Sequence, residues 1–225
     1  MFDGHLRSSV DKAVKPLGNG LRRTKITPDH LTIAGLLIAV GAAVAIAFGQ
    51  LALGLLLVIL AALPDLLDGA LAKASNTSSQ RGAFFDSVID RVTDSLLLGG
   101  VAWYFASHES AHLAILPFAV AGMSSVISYE RAKAESLGLQ AKGGLMERAE
   151  RIIALCIGLL FPPLLIPIMW LMLVLTTITA VQRFFKVWNQ AAVAPVTAAR
   201  IEQRRNRRQS RRASRARQHS TSRTR

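Results

Sequence analysis

The stretch PDLLDGALAKASNTSSQRGAFFDSVID, Pro64 to Asp90, decides how the chain is read. One apolar run ends on it and another begins inside it, yet it carries four carboxylates, Asp65, Asp68, Asp86 and Asp90. Of the 225 residues 51% are hydrophobic, and the mean hydropathy is +0.35, more apolar than a soluble domain of this length needs. Apolar runs on either side predict helices at about 31–49, 51–72, 83–106, 111–130, 147–166 and 167–186, lengths that suit a hydrocarbon core of roughly 30 Å. The breaks fall at Gly49-Gln50, at SHES and at PPLLIP. The expected fold class is therefore all-α integral membrane, with six transmembrane helices.

Charge gives the topology. Six spans put both termini on one side, and every Lys and Arg then falls on that side, from Arg22, Arg23 and Lys25 through Lys73, Arg81, Arg91, Arg131, Lys133, Lys142, Arg148 and Arg151 to Arg183 and Lys186. The three opposite turns have none. By the positive-inside rule the basic side is the cytoplasm, so a multi-pass protein of the cell membrane is expected. Of the net charge of +13, ten units come from eleven Arg and one Glu between Arg200 and the end. That tail has no apolar periodicity, and 189–225 reads as a basic, disordered cytoplasmic segment. A solvated tail drawn to an anionic lipid bilayer is the simpler expectation; no specific nucleic acid is expected. Residues 1–26 lack the apolar core of a signal peptide, which predicts an uncleaved chain. They read as an interfacial amphipathic helix with Phe2, Leu6, Val10, Val14 and Leu17 on one side. The domain of interest is then 27–188. Cys156 lies in an apolar run as a small buried hydrophobe, and the five His show no zinc spacing.

Asp65 and Asp68 are spaced i,i+3 at the end of the second predicted span, and Asp86 and Asp90 are spaced i,i+4 at the start of the third, so each pair shares a helix face. The connection between them is short and polar, which predicts antiparallel neighbours directing all four carboxylates into one space. Four such groups repel unless a cation compensates them. Hard divalent ions suit carboxylate oxygens, and two of them can clamp a phosphate. A proton relay or a sodium site is the alternative that the residues alone leave open. An ion pathway, however, needs ionisable groups through the membrane depth, and these spans are apolar beyond their basic ends. Gly69 and Gly82 permit close backbone approach, and Lys73 and Arg81 add positive charge beside the acids.

Asp65-x-x-Asp68-Gly69-x-x-Ala72-Lys73, eight residues, Gly82-x-x-x-Asp86-x-x-x-Asp90 resembles the signature of the CDP-alcohol phosphotransferases, with Lys73 standing where that family usually has Arg. The resemblance implies a six-helix membrane enzyme, commonly a homodimer, that transfers a phosphatidyl group from CDP-diacylglycerol to an alcohol and releases CMP. It implies two Mg2+ ions, with Mn2+ as a substitute. Asp65, Asp68 and Asp86 would hold one ion, and Asp65, Asp86 and Asp90 would surround the other. Asp90 would also be the general base on the acceptor hydroxyl. Asp29, His30, Leu31 and Thr32 of the TPDHLT entry to the first span, with Gly69, Lys73 and Ser79, would contact CDP-diacylglycerol.

Downstream, SYERAKAESLGLQAKGGLMERAERI and VQRFFKVW resemble the actinobacterial phosphatidylinositol phosphate synthases of the same family. In that subfamily the acceptor is inositol 1-phosphate, and the positions binding its phosphate correspond to Arg131, Arg151 and Arg183, with Arg131 replacing a Lys and Lys133 an Arg. Glycerol 3-phosphate, which gives phosphatidylglycerophosphate, is the alternative acceptor, since three arginines alone cannot tell one phosphate dianion from another. A membrane tether acting through the Arg tail is the alternative from outside enzymology.

Overall fold

The computed structural model describes residues 28–75, 80–141 and 143–192, and of residues 64–75 only the helical backbone. The predicted amphipathic segment, the basic tail beyond residue 192, Ser79, and the side chains of Asp65, Asp68, Gly69 and Lys73 lie outside what is described. The described residues form helices and no strands. In chain order these are α1 Pro28–Ala47, α2 Leu51–Ser75, α3 Gln80–His108, α4 Ile115–Ser136, α5 Arg148–Leu160 and α6 Leu165–Ala191, with 3-10 turns at Ala111–Ala114 and Pro162–Leu164.

Each boundary has a local cause. Gly49 ends α1 with φ 76°, donating its N–H to Ile46 O at 2.9 Å while Gln50 donates to Ala45 O at 2.9 Å, a Schellman closure. Gly138 (φ 73°) ends α4 the same way, with Leu139 N–H on Ala134 O at 2.8 Å and Gly138 N–H on Glu135 O at 3.0 Å. The fourth helix therefore runs six residues past its predicted end at 130, because RAKAES is a run of helix formers closed by that glycine. The last break also differs from expectation. It falls at 161–164 rather than after 166: Phe161, held extended before Pro162 (φ −121°, ψ 85°), stops α5, and Pro167 sits harmlessly in the first turn of α6.

Three stretches are long and apolar enough to cross a membrane, Asp29–Ala47, Ala111–Ser136 and Pro162–Ala191. Of α2, the described side chains show the apolar run Leu51–Leu63. The other two helices fall short for different reasons. α3 carries Arg81, Asp86, Asp90, Arg91 and Asp94 in its first half, and α5 has 13 residues, about 20 Å of helix.

α1 packs along both α2 and α3; α2 also meets α5, α3 meets α4, and α6 packs on α4 and α5. One apolar core joins all six, with Ile46, Val58, Val101, Phe105, Val120, Leu159 and Met169 at its centre. Thr176 and Thr179 are fully buried there and return their hydroxyls to Met172 O (2.7 Å) and Leu175 O (2.8 Å). The outward faces are apolar as well: Leu37, Phe48, Trp103, Phe118 and Trp170 are all more than half exposed. A bilayer solvates such faces, and water does not.

Candidate active site

The first half of α3 brings three acids onto one stripe. Asp86, Asp90 and Asp94 follow at four-residue intervals, with Asp86 and Asp90 half-buried and Asp94 buried. Opposite them stands the first turn of α5. Arg148 Nη1 lies 2.9 Å from Asp90 Oδ1, and its Nε lies 3.5 Å from Asp94 Oδ1. Arg151, one turn on, donates from Nη2 to Asp94 Oδ2 and from Nη1 to Met146 O at 3.4 Å. Arg91 Nη2 approaches Asp90 Oδ2 at 3.7 Å, and its Nη1 donates to Ser128 Oγ on α4. The positive end of the α5 backbone adds to the attraction for the acids.

A second centre is built on α6. Arg183 is 4% exposed, and each of its nitrogens has a protein acceptor: Nε donates to Gly143 O at 3.1 Å, Nη1 to Ile127 O at 3.0 Å and Nη2 to Glu147 Oε1 at 2.9 Å. Thr179 Oγ1 receives the N–H groups of Leu145 and Met146, each at 3.2 Å. The 143–147 segment is thus fastened to α6 and leads directly into the arginines of α5. Arg131 stands at the rim, half exposed and paired with Glu135 at 3.1 Å. Its charge and that of Glu130 act on Arg183.

The three arginines expected to bind one phosphate therefore have different situations: Arg151 and Arg183 are buried on protein acceptors, whereas Arg131 is open to solvent. Asp29, His30, Leu31 and Thr32 occupy the first turn of α1, with Thr32 buried, Asp29 and Leu31 half-buried and His30 exposed. Among the described residues no three His, Cys, Asp or Glu side chains converge as a metal site; Asp65 and Asp68 are outside that comparison. The α3 pair contributes hard carboxylate oxygens one turn apart, a donor set that fits a divalent ion and not a soft one.

Two participants were missed in the sequence. Asp94 continues the Asp86, Asp90 spacing by one more turn, and Arg148 precedes Arg151 by three residues, on the same helix face. Both signals were present, but neither belongs to the motif that drew attention to the region.

Apolar helices that enclose an ionic centre at the head of α3 define a membrane enzyme handling charged substrates. The model of the CDP-alcohol phosphatidyltransferase family matches residues 25–188, and the chain belongs to that family. It is a membrane-embedded phosphatidyl-transferring enzyme. Phosphatidylinositol phosphate synthase of Mycobacterium marinum is 36% identical over 192 residues, covering 81% of this chain and 82% of the relative. The enzyme of the same name from Streptomyces avermitilis is 31% identical over 213 residues, covering 88% and 87%. The crystal structure of Mycobacterium tuberculosis phosphatidylinositol phosphate synthase with CDP-DAG bound superposes with a TM-score of 0.73 at 36% identity, covering 79% of this chain and 94% of that one. A second structure of that enzyme, in complex with manganese and citrate, gives the same TM-score of 0.73 over 78% and 88% of the two chains.

Proposed function

We propose that the chain transfers a phosphatidyl group from CDP-diacylglycerol to a hydroxyl of myo-inositol 1-phosphate, giving phosphatidylinositol phosphate and CMP. The observation that carries this is the meeting of the α3 carboxylates with the arginine-bearing turn of α5, Asp90 on Arg148 at 2.9 Å. It joins acids suited to metal and proton work with cations suited to a phosphate acceptor. The likeness to phosphatidylinositol phosphate synthases over four fifths of the chain supports the choice of acceptor.

In this reading Asp65, Asp68, Asp86 and Asp90 hold two Mg2+ ions, which would neutralise the pyrophosphate and the departing CMP; Mn2+ would substitute. Asp90 takes the proton of the acceptor hydroxyl as that oxygen bonds to the phosphatidyl phosphorus and the bond to CMP breaks. Asp29 to Thr32, Gly69, Lys73 and Ser79 hold CDP-diacylglycerol, with Lys73 as a cation for the pyrophosphate. Arg131, Arg151 and Arg183 form the acceptor side. Arg131 and Arg183 would share their guanidinium groups between the phosphate and Glu135 and Glu147. Six spans carry this site on the cytoplasmic face with both termini, in a homodimer whose basic tail lies against anionic lipid.

The test is transfer from radiolabelled CDP-diacylglycerol to a panel of acceptors, with and without Mg2+. Product from inositol 1-phosphate, and little from free inositol, is expected. Product from glycerol 3-phosphate alone would overturn the acceptor while leaving the transferase class intact.

A further inference from the structure

Asp94 lies one turn past the family motif, and its surroundings are not those of a stray acid. It is 8% exposed, a position at which an uncompensated carboxylate is strongly disfavoured. Its two oxygens are divided between two side chains: Oδ2 accepts from Arg151, and Oδ1 lies 3.5 Å from Arg148 Nε. A pair with Arg151 alone would be enough to join α3 to α5. The second contact does something else, because the same Arg148 reaches back with Nη1 to Asp90 Oδ1 at 2.9 Å. Arg148 is thus a bridge with one foot on the buried acid and one on the acid at the reacting end. Its planar guanidinium converts the position of Asp94 into an orientation for Asp90.

An arginine held only by Asp90 would keep much of its rotamer freedom and would not fix the carboxylate plane. The attraction of Asp94 for Nε at 3.5 Å, an ion pair without a hydrogen bond, restricts that freedom. The anchor is itself rigid: Asp94 sits mid-helix and is held from its other oxygen by Arg151, which is 5% exposed and also donates to Met146 O. No step of transfer needs Asp94 to touch substrate.

We propose that Asp94 is a positioning residue for phosphatidyl transfer, acting through Arg148 on the Asp90 carboxylate. The inference rests on Asp90 being the proton acceptor of the proposed function, and the experiments separate the two. Asp94→Asn keeps shape and removes the anchor charge. It should lower kcat about 10- to 100-fold, the loss typical of removing an outer partner of a reactive group, with KM for CDP-diacylglycerol within about twofold of wild type. Mn2+ affinity, read by electron paramagnetic resonance on the purified protein, should be unchanged, because Asp94 is not a ligand. Arg148→Gln should reproduce the kcat loss, and the double variant should be no worse than Arg148→Gln alone. A merely structural Asp94 would instead give additive losses that track thermal stability. Wild-type kcat in Asp94→Asn or in Arg148→Gln overturns the proposal. Should Asp94→Asn fail to fold, the kcat of Arg148→Gln decides alone. Asp90→Asn distinguishes the failures: if it retains activity, the base assignment falls; if it is inactive while Asp94→Asn turns over normally, only the positioning role falls.

Discussion

Arg151 and Arg183 are almost equally hidden, at 5% and 4% exposure, and yet the protein compensates them in opposite ways. Arg151 is neutralised by a buried carboxylate, Asp94, on the helix that carries the reactive acids. Arg183 directs two of its three nitrogens to backbone carbonyls, and its hydrogen-bonded acid, Glu147, is 34% exposed at the side chain. A carbonyl satisfies hydrogen-bonding capacity without cancelling charge; a carboxylate does both. Under the proposed function Arg183 would therefore keep more of its positive potential for an incoming phosphate than Arg151 does. Arg151, beside its proposed place on the acceptor side, also ties α5 to α3 through Asp94.

The largest effect that sharpens this contrast is on the α3 side. Asp90→Asn should reduce kcat by about 10²- to 10⁴-fold, the usual worth of a general base. Because Asp29 to Thr32, Gly69, Lys73 and Ser79 are untouched, binding of CDP-diacylglycerol, measured by titration, should stay near wild type. Excess chelator should stop turnover to the same degree. Robust activity in chelator would break the metal reading.

Next comes Arg183→Ala. It leaves the carbonyl of Gly143 and the carboxylate of Glu147 without their donor, for a loss on the order of 1–3 kcal/mol. Thermal unfolding in detergent should show a large drop in Tm, and KM for inositol 1-phosphate should rise in any folded fraction. Glu147→Gln should not restore the Arg183→Ala protein, since the Gly143 carbonyl remains without a donor.

Arg151→Ala is expected to cost less than Arg183→Ala, because Arg148 stays beside Asp94. Here the rescue differs in sign: adding Asp94→Asn removes the stranded charge and should recover part of the Tm. Equal responses of the two arginines to removal of their acidic partners would erase the contrast. Its smallest expression is Arg131→Ala, where the exposed pair with Glu135 contributes at most about 1 kcal/mol. Stability should hardly move, and any rise in KM for inositol 1-phosphate would then report binding alone.

How legible this was in the sequence depends on what each residue answers to. Helix ends governed by a local rule were readable: Gly49 closes α1 where expected. The aspartate spacing and its family likeness were readable too, since the chemistry fixes those intervals. What escaped was set by tertiary contacts. Nothing in MERAER says that Arg148 and Arg151 both reach Asp94; only the ion pairs between the first turn of α5 and α3 decide it. Nor does VQR reveal that Arg183 turns inward to the 143–147 segment. The spans were drawn from hydropathy as six similar lengths, whereas α5 has 13 residues and α3 has 29, because charge pairing allows a helix to be polar at one end.

The approach of α3 to α1 has a consequence for how this chain can change over generations. A side chain at Gly100 would begin 2.5 Å from the backbone oxygen of Ala43, an atom that cannot step aside, while Gly99, its immediate neighbour, and Gly122 open onto empty space. Two adjacent codons thus face opposite selection. Position 99 can drift through the small and apolar alphabet, and position 100 admits a single letter. In a library saturated at both sites, survivors should be diverse at 99 and invariant at 100, although neither residue touches a reacting atom.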